Sequence, residues 1–373
     1  MSFKQYLIII FALLLNACGE PKAPDALINT SVQITLNEVS SQLPANQSPA
    51  VGTVLVINFL DNGKFTVTEP NKIATVNQGD FTYKKINANS SEITGHSTTL
   101  NKPLSIKLNY NTAELGLYEA NIGNNFLIMK GGFSAQKIVL PDAKLAGSLQ
   151  TNLIFSSRFT GVTYPYHIYL PANYATSNKQ YPIIYATDAQ WGFPYNAGYL
   201  DSKQKDVIFV GIEQGPDDRR FIDFVPVGAP KYIQFLKQEF IPFIEKELRT
   251  THERTYIGVS LGGLLGSILL TQEPANKPYF NTYLLFDGTY QLLTSDNIKA
   301  EEQRLVANNQ FNIRVVLTSA SPGNREPTAE LAKRYQARSY QGLNLTLKEY
   351  NVPHSGIDWP SFTDAVNNGI FDH

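Results

Sequence analysis

Gly258-Val259-Ser260-Leu261-Gly262-Gly263 joins a strand-like run, Thr255-Tyr256-Ile257, to an apolar helical run from Leu264 to Leu270. A G-x-S-x-G stretch in that setting is a nucleophile elbow, a sharp turn that lifts a serine hydroxyl clear of a sheet. The chain passes so close to itself there that the residues two before and two after the serine must be small. Gly258 and Gly262 meet that requirement. The serine's backbone is strained, and such strain persists only where the surroundings hold it. An ordinary glycine-lined turn carrying an inert serine is the competing reading, so the rest of the chain has to decide.

From Gln150 onward strands and helices alternate. Strands are expected at Tyr166 to Leu170, Pro182 to Ala186, Val207 to Ile212, Thr255 to Val259, Tyr283 to Phe286, Ile313 to Thr318 and Leu345 to Tyr350. Several are near-continuous apolar runs, as strands covered on both faces should be. Ile233, Leu236, Phe240, Ile244 and Leu248 fall at helical spacing, with Pro242 expected to bend that helix. Alternation of this kind implies an α/β fold, a largely parallel sheet with helices on both faces.

The N-terminal part reads differently. Between Val32 and Phe133, short apolar or alternating runs occur at Val51 to Leu60, Lys64 to Val67, Asp80 to Lys84, Leu104 to Leu108 and Asn125 to Met129. Asp61-Asn62-Gly63, Asn77-Gln78-Gly79, Asn87 to Ser91 and Gly131-Gly132 read as the turns between them. Helical periodicity is absent, and a small antiparallel meander or half-barrel is expected. The runs beginning at Gly79, Gly116 and Gly131 loosely resemble a β-repeat domain of bacterial lipoproteins. Residues 32–140 are thus an all-β domain, Pro141 to Leu149 a linker, and residues 150–373 the α/β domain.

The chain has 373 residues, 43% hydrophobic and 17% charged, enough for two packed domains. Its formal net charge of −1 supplies no basic field for nucleic acid. The single cysteine, Cys18, excludes an internal disulfide. It follows Lys4 and an apolar run from Tyr6 to Leu15, and Leu15-Asn16-Ala17-Cys18 resembles a bacterial lipoprotein signal. The run is shorter than the roughly 20 residues that span a bilayer, so a secretory signal is expected over residues 1–17, lipidation at Cys18 and a tether over residues 18–31. Gly19 after the cysteine favours, by that resemblance, the outer membrane; the expected setting is the bacterial cell envelope, with the membrane reached through the lipid. A plain secretion signal with an incidental cysteine is the alternative.

The α/β region resembles the putative esterase family of α/β hydrolases, which includes siderophore, feruloyl and acetylxylan esterases, S-formylglutathione hydrolase and mycolyltransferases. The resemblance rests on Tyr169-Leu170-Pro171-Ala172-Asn173-Tyr174, Tyr181 to Asp188, Val210-Gly211-Ile212, Arg220-Phe221-Ile222-Asp223-Phe224-Val225-Pro226, the elbow and a C-terminal His354. It implies an α/β-hydrolase fold over roughly residues 150–373 and a serine nucleophile acting on carboxylic esters.

Serine needs a base, and histidine takes and returns protons near neutral pH. Of the five histidines, His354 follows the last strand, on the edge where Ser260 should emerge, and the order serine before histidine also fits. His96, His167, His252 and His373 sit elsewhere. The base needs a carboxylate to fix its tautomer. Glu326 lies where the resemblance puts the acid, although Ser319-Ala320-Ser321-Pro322 disturbs the register; Asp287, after the preceding strand, is the alternative, and Asp358 is a third. Asp358 could equally cap the next helix, and Glu326 could simply favour a helix start. For the oxyanion, Leu261 offers one backbone N–H, and Gln190, or else Ala189, the second. Arg220 and Asp223 are expected to form an internal ion pair rather than to touch substrate. No metal-ligand or phosphate-loop spacing occurs, so no metal and no cofactor are expected.

The reading is an ester hydrolase working through an acyl-enzyme on a small-molecule or glycan-linked ester. The alternatives are the same site run as an acyltransferase and an inactive scaffold serving as a binding lipoprotein.

Overall fold

The computed structural model describes residues 23–137, 144–274 and 277–372. The expected signal segment, Cys18 and His373 lie outside the described residues. The chain divides into two compact units, split between Val139 and Leu140.

The first unit is a closed barrel of strands β1 (Thr30–Ser41), β2 (Val54–Phe59), β3 (Lys64–Thr68), β4 (Asn77–Asn87), β5 (Ser90–Ser97), β6 (Lys102–Tyr110), β7 (Leu115–Ile122) and β8 (Leu127–Lys137). Each strand pairs antiparallel with the next, and β1 also pairs with β8, so no edge is left open. The half-barrel expected from sequence is therefore corrected to a full one. Three strands, β1, β5 and β7, have no counterpart among the expected runs; β5 and β7 were hidden because their inward faces are short of bulky apolar residues. β5 turns Ser91, Ile93 and Ser97 inward, and β7 turns Gly116, Tyr118, Ala120 and Ile122 inward while Leu115 and Leu117 face solvent.

Gly131-Gly132 is not a turn but the middle of β8. It faces the bulge at Leu36/Glu38 of β1, and a Cβ on Gly131 would stand 1.8 Å from the Thr35 carbonyl oxygen. Glycine is there because two backbones approach more closely than any side chain permits. Asn77-Gln78-Gly79 likewise opens β4 instead of preceding it.

The second unit is built on β9 (Ser148–Ser156), β10 (Thr163–Leu170), β11 (Tyr181–Thr187), β12 (Ile208–Ile212), β13 (Thr250–Val259), β14 (Thr282–Phe286), β15 (Arg314–Ala320) and β16 (Asn344–Tyr350). Their order across the sheet is β16-β15-β14-β13-β11-β12-β10-β9. β11 to β16 run parallel, while β10 is antiparallel to both β12 and β9. Every strand expected from sequence is present. β9 is an additional strand that was not expected, and Ser148 and Leu149, assigned to the linker, already pair with β10.

The helices are α1 (Ala189–Ser202), α2 (Arg220–Asp223), α3 (Ala229–Gln234), α4 (Ile241–Glu247), α5 (Leu261–Leu270), α6 (Ser295–Ala307), α7 (Arg325–Ala337) and α8 (Asp358–Asn367). Pro242 lies in the first turn of α4, directly after a π-helical stretch over Phe235–Phe240. The bend expected at Pro242 is thus replaced by a wider turn just upstream of it, and the proline sits where its missing N–H matters least.

Both sheet faces are covered, as neighbouring residues show. Ile184, Ile257 and Leu284 pack with Ala197 of α1 and Phe362 of α8 in one core. Their neighbours Tyr185, Tyr256 and Tyr283 point the other way: Tyr185 meets Phe240 at 6.5 Å between ring centroids, and Tyr256 meets Phe280 at 5.7 Å. Successive strand residues face opposite sides, so apolar residues at every position bury the sheet twice.

Candidate active site

Ser260 is the residue between β13 and α5, with φ 57° and ψ −115°. A Cβ on Gly258 would stand 2.2 Å from the Gly262 carbonyl oxygen, and one on Gly262 would stand 2.4 Å from Thr187 Oγ1. Both glycines are required, as the sequence argument demands. The turn is held by backbone bonds: Ser260 N–H donates to the Phe286 carbonyl at 2.9 Å, and the Ser260 carbonyl accepts from Leu264 and from Thr289, each at 3.1 Å. Tyr256 adds its hydroxyl to the Gly262 carbonyl at 2.8 Å.

The neighbouring strand ends one residue before Asp287, whose N–H donates to the Thr318 carbonyl at 2.8 Å. His354 opens a single 3₁₀ turn, His354–Gly356, after β16. Its Nε2 lies 3.1 Å from Ser260 Oγ, and its Nδ1 lies 2.5 Å from Asp287 Oδ2. An ionised carboxylate only accepts, so Nδ1 carries the proton and Nε2 presents its lone pair to the serine O–H. Thr289 Oγ1 stands 3.3 Å from Ser260 Oγ on the other side.

The carboxylate on the imidazole is Asp287, and the assignment to Glu326 is corrected. Glu326 occupies the first turn of α7, exposed to solvent, where the helix dipole favours an acid. The loop expected to carry the acid instead carries its donors. Ala320 N–H and Asn324 N–H reach Asp287 Oδ1 at 2.8 and 2.9 Å, and Asn324 Nδ2 donates to the Asp287 carbonyl at 2.8 Å. Asp287 is fully buried, and these donors offset the cost of holding it there. The signal was available in Phe286-Asp287-Gly288 at a strand's carboxyl end.

A cavity of about 480 Å³ opens beside Ser260 and His354, lined also by Ala189, Trp191, Asn196, Arg220 and Asp358. Leu261 is the first residue of α5, so its N–H belongs to the unpaired first turn. Ala189, first in α1, lines the cavity; the lining does not include Gln190, whose side-chain oxygen accepts from Gln214 N–H at 3.1 Å. Of the two candidates for the second donor, the structure brings Ala189 to the cavity.

Arg220 pairs with Asp188, not with Asp223: Nε and Nη2 donate to the two carboxylate oxygens at 2.9 and 2.8 Å. Asp223 accepts from Arg219 and from the Tyr164 hydroxyl. The expected internal ion pair thus becomes two, and the Asp188 pair fixes the residue preceding α1. His167 is a structural histidine. Its Nδ1 accepts from Asn152 N–H at 3.0 Å and its Nε2 meets Glu213 at 2.9 Å.

Residues 157–280 match the family model described as Putative esterase. The second unit has an esterase-family, α/β-hydrolase-like fold. The matched stretch ends between the elbow and Asp287, so the acid and the histidine lie beyond it. The fold is similar to that of an IroE-like serine hydrolase from Shewanella oneidensis, at 23% identity and TM-score 0.52, covering 60% of this chain and 80% of that one. It is also similar to the BES protein from Bacillus cereus, at 20% identity and TM-score 0.52, covering 62% and 98%. A third is the siderophore hydrolase EstA from Aspergillus nidulans, at 15% identity and TM-score 0.51, covering 62% and 96%. At these identities the likeness establishes the fold. None of the curated proteins matches the chain in sequence.

Sequence reasoning treated Asp358 as an acid or a helix cap; in the second unit it is part of the cavity wall. Its Oδ2 accepts from Asn196 Nδ2 at 3.2 Å, and burial raises its carboxyl from 3.8 to about 6. Between about pH 4 and pH 6 the folded protein therefore holds a proton that the unfolded chain has released. This group makes stability fall as pH rises through that window, the cost being complete above it. Asp358→Asn should flatten that segment of the melting-temperature profile and raise the melting temperature at pH 7, as thermal denaturation across pH will measure; an unchanged profile contradicts the assignment.

Proposed function

We propose that the protein is a serine esterase in which Ser260, His354 and Asp287 act as one catalytic unit. The observation carrying this reading is the unbroken run Asp287 Oδ2–His354 Nδ1 and His354 Nε2–Ser260 Oγ beside a cavity. Ser260 Oγ attacks the ester carbonyl carbon while its proton passes to His354 Nε2, and Asp287 steadies the imidazolium. The oxyanion is met by Leu261 N–H and Ala189 N–H. Collapse expels the alcohol, which takes the proton from Nε2. Water, activated by the same nitrogen, then attacks the acyl-enzyme and frees the acid and Ser260.

The cavity favours an ester with an aromatic or apolar group. Trp191, in its lining, is 59% exposed, and Phe221 is 61% exposed. The Arg220 guanidinium, also in the lining, lies 5.1 Å from the Trp191 ring and 5.5 Å from the Phe221 ring, while its charge is spent on Asp188.

A fluorophosphonate probe should label the protein once and fail to label Ser260→Ala; labelling that survives the substitution would falsify the nucleophile. On p-nitrophenyl esters, Asp287→Ala should lower kcat about 10⁴-fold. Glu326→Ala should leave it within about twofold, as substitution of an exposed residue on the first turn of α7 should. The reverse ranking returns the acid to Glu326.

We place the enzyme at a membrane surface through an acylated Cys18. Cys18→Ala should move the protein from the detergent phase to the aqueous phase in a phase-partition assay of expressing cells; unchanged partition removes the anchor.

A further inference from the structure

The barrel of the first unit is hollow. A cavity of about 620 Å³ lies inside it, walled by residues such as Ile57, Phe65, Leu104, Tyr118, Ala120 and Met129. Packed interiors leave few voids larger than a water molecule. This one falls within the roughly 300–1,000 Å³ of small-molecule sites, and eight-stranded barrels are wide enough to hold one small ligand.

The two ends of the barrel differ. In an up-and-down barrel, alternate connections share an end. At one end the chain ahead of β1 folds in as a floor. Ala23 and Leu27 are 1% exposed and belong to the barrel core, and Ala23 N–H donates to the Ala88 carbonyl in the β4–β5 turn. The Tyr83 hydroxyl donates to the Pro24 carbonyl at 2.5 Å, and the Ser91 and Tyr110 hydroxyls meet at 3.1 Å above that floor. At the other end, the cavity is lined by the β1–β2 and β3–β4 connections. These bring Asn46, Gln47, Ser48 and the pair Glu69 and Lys72, with Asn77 where β4 begins. Glu69 and Lys72 neutralise each other at 2.6 Å.

We propose that the barrel is a binding cup for one uncharged amphiphile. Its apolar body would fill the walled interior, and its hydroxyl or amide head would sit among Asn46, Gln47, Ser48 and Asn77. The wall is apolar, and its Tyr118 hydroxyl is turned to the Thr35 carbonyl at 3.5 Å. A ligand polar along its length would lose its hydrogen bonds to water there without replacement. A charged head would meet a mouth whose charges already cancel. The site is independent of the esterase chemistry.

The test uses the full-length protein with 1-aminoanthracene, a neutral fluorescent ring compound, and 1-decanol as competitor. The expected result is saturable, blue-shifted emission at one probe per chain, displaced by decanol. Ala120→Phe fills the cavity from its wall, and Ala50→Trp crowds the mouth from a loop. Each should weaken binding about tenfold or more, as overpacking a cavity does. Ser355→Trp, which crowds the cleft of the esterase unit, should leave binding within about twofold. If Ala120→Phe does not melt cooperatively, Ala50→Trp decides. Absence of saturable binding, binding retained by the folded barrel variants, or loss in Ser355→Trp each overturns the proposal.

Discussion

The site hangs on one step of backbone hydrogen bonding beyond the end of the parallel ladder. Val259 pairs with Phe286 and Phe286 with Thr318 as ordinary strand neighbours. One residue further, Ser260 N–H reaches the Phe286 carbonyl and Asp287 N–H reaches the Thr318 carbonyl. That step fixes Ser260 and Asp287 against the same edge of the sheet before either side chain is considered. Ser260's backbone costs about 1–3 kcal/mol in its unusual conformation. Three backbone bonds to Ser260, each contributing about 0.5–1.5 kcal/mol net, are enough to hold it there. The strain therefore persists without weakening the sheet, provided Gly258 and Gly262 keep the turn clear.

The same economy explains why the carboxylate beside His354 follows β14. A carboxylate buried as deeply as Asp287 needs donors on the oxygen that the histidine does not use. The last residue of β15 supplies Ala320 N–H and the loop after it Asn324 N–H to Oδ1, leaving Oδ2 for His354. The resemblance that pointed to that loop was right about its involvement and wrong about its part. Glu326, on the exposed first turn of α7, has a helix terminus to satisfy instead.

The barrel shows a different balance. Closure pairs every strand on both sides and removes the edges that would invite association. Small inward residues such as Gly116 and Ala120, with serines in β5, leave space that Phe and Leu would have filled. A barrel built only for stability would close that space, because unfilled volume forfeits dispersion contacts. The floor formed by Ala23 and Leu27 and the polar opposite mouth make the remaining volume a cup with a direction.

Sequence alone determined what depends on local order. Continuous apolar runs with turns between them located seven of the eight strands of the second unit. Glycines spaced around Ser260 dictated the elbow, and the placement of His354 after the last strand put an imidazole on the edge where that serine emerges. Hydrogen-bond partners distant in sequence were not legible. Asp287 and Glu326 both follow strands, and only the register of β14 against β15, with the donors at Ala320 and Asn324, separates them. Arg220 chose Asp188 over nearby Asp223 for the same reason. Closure of the barrel and the faces of β5 and β7 depend on β1 meeting β8, a contact between chain segments about a hundred residues apart. Periodicity tells which residues share a face; which surfaces then meet is decided by packing, and only the tertiary structure records it.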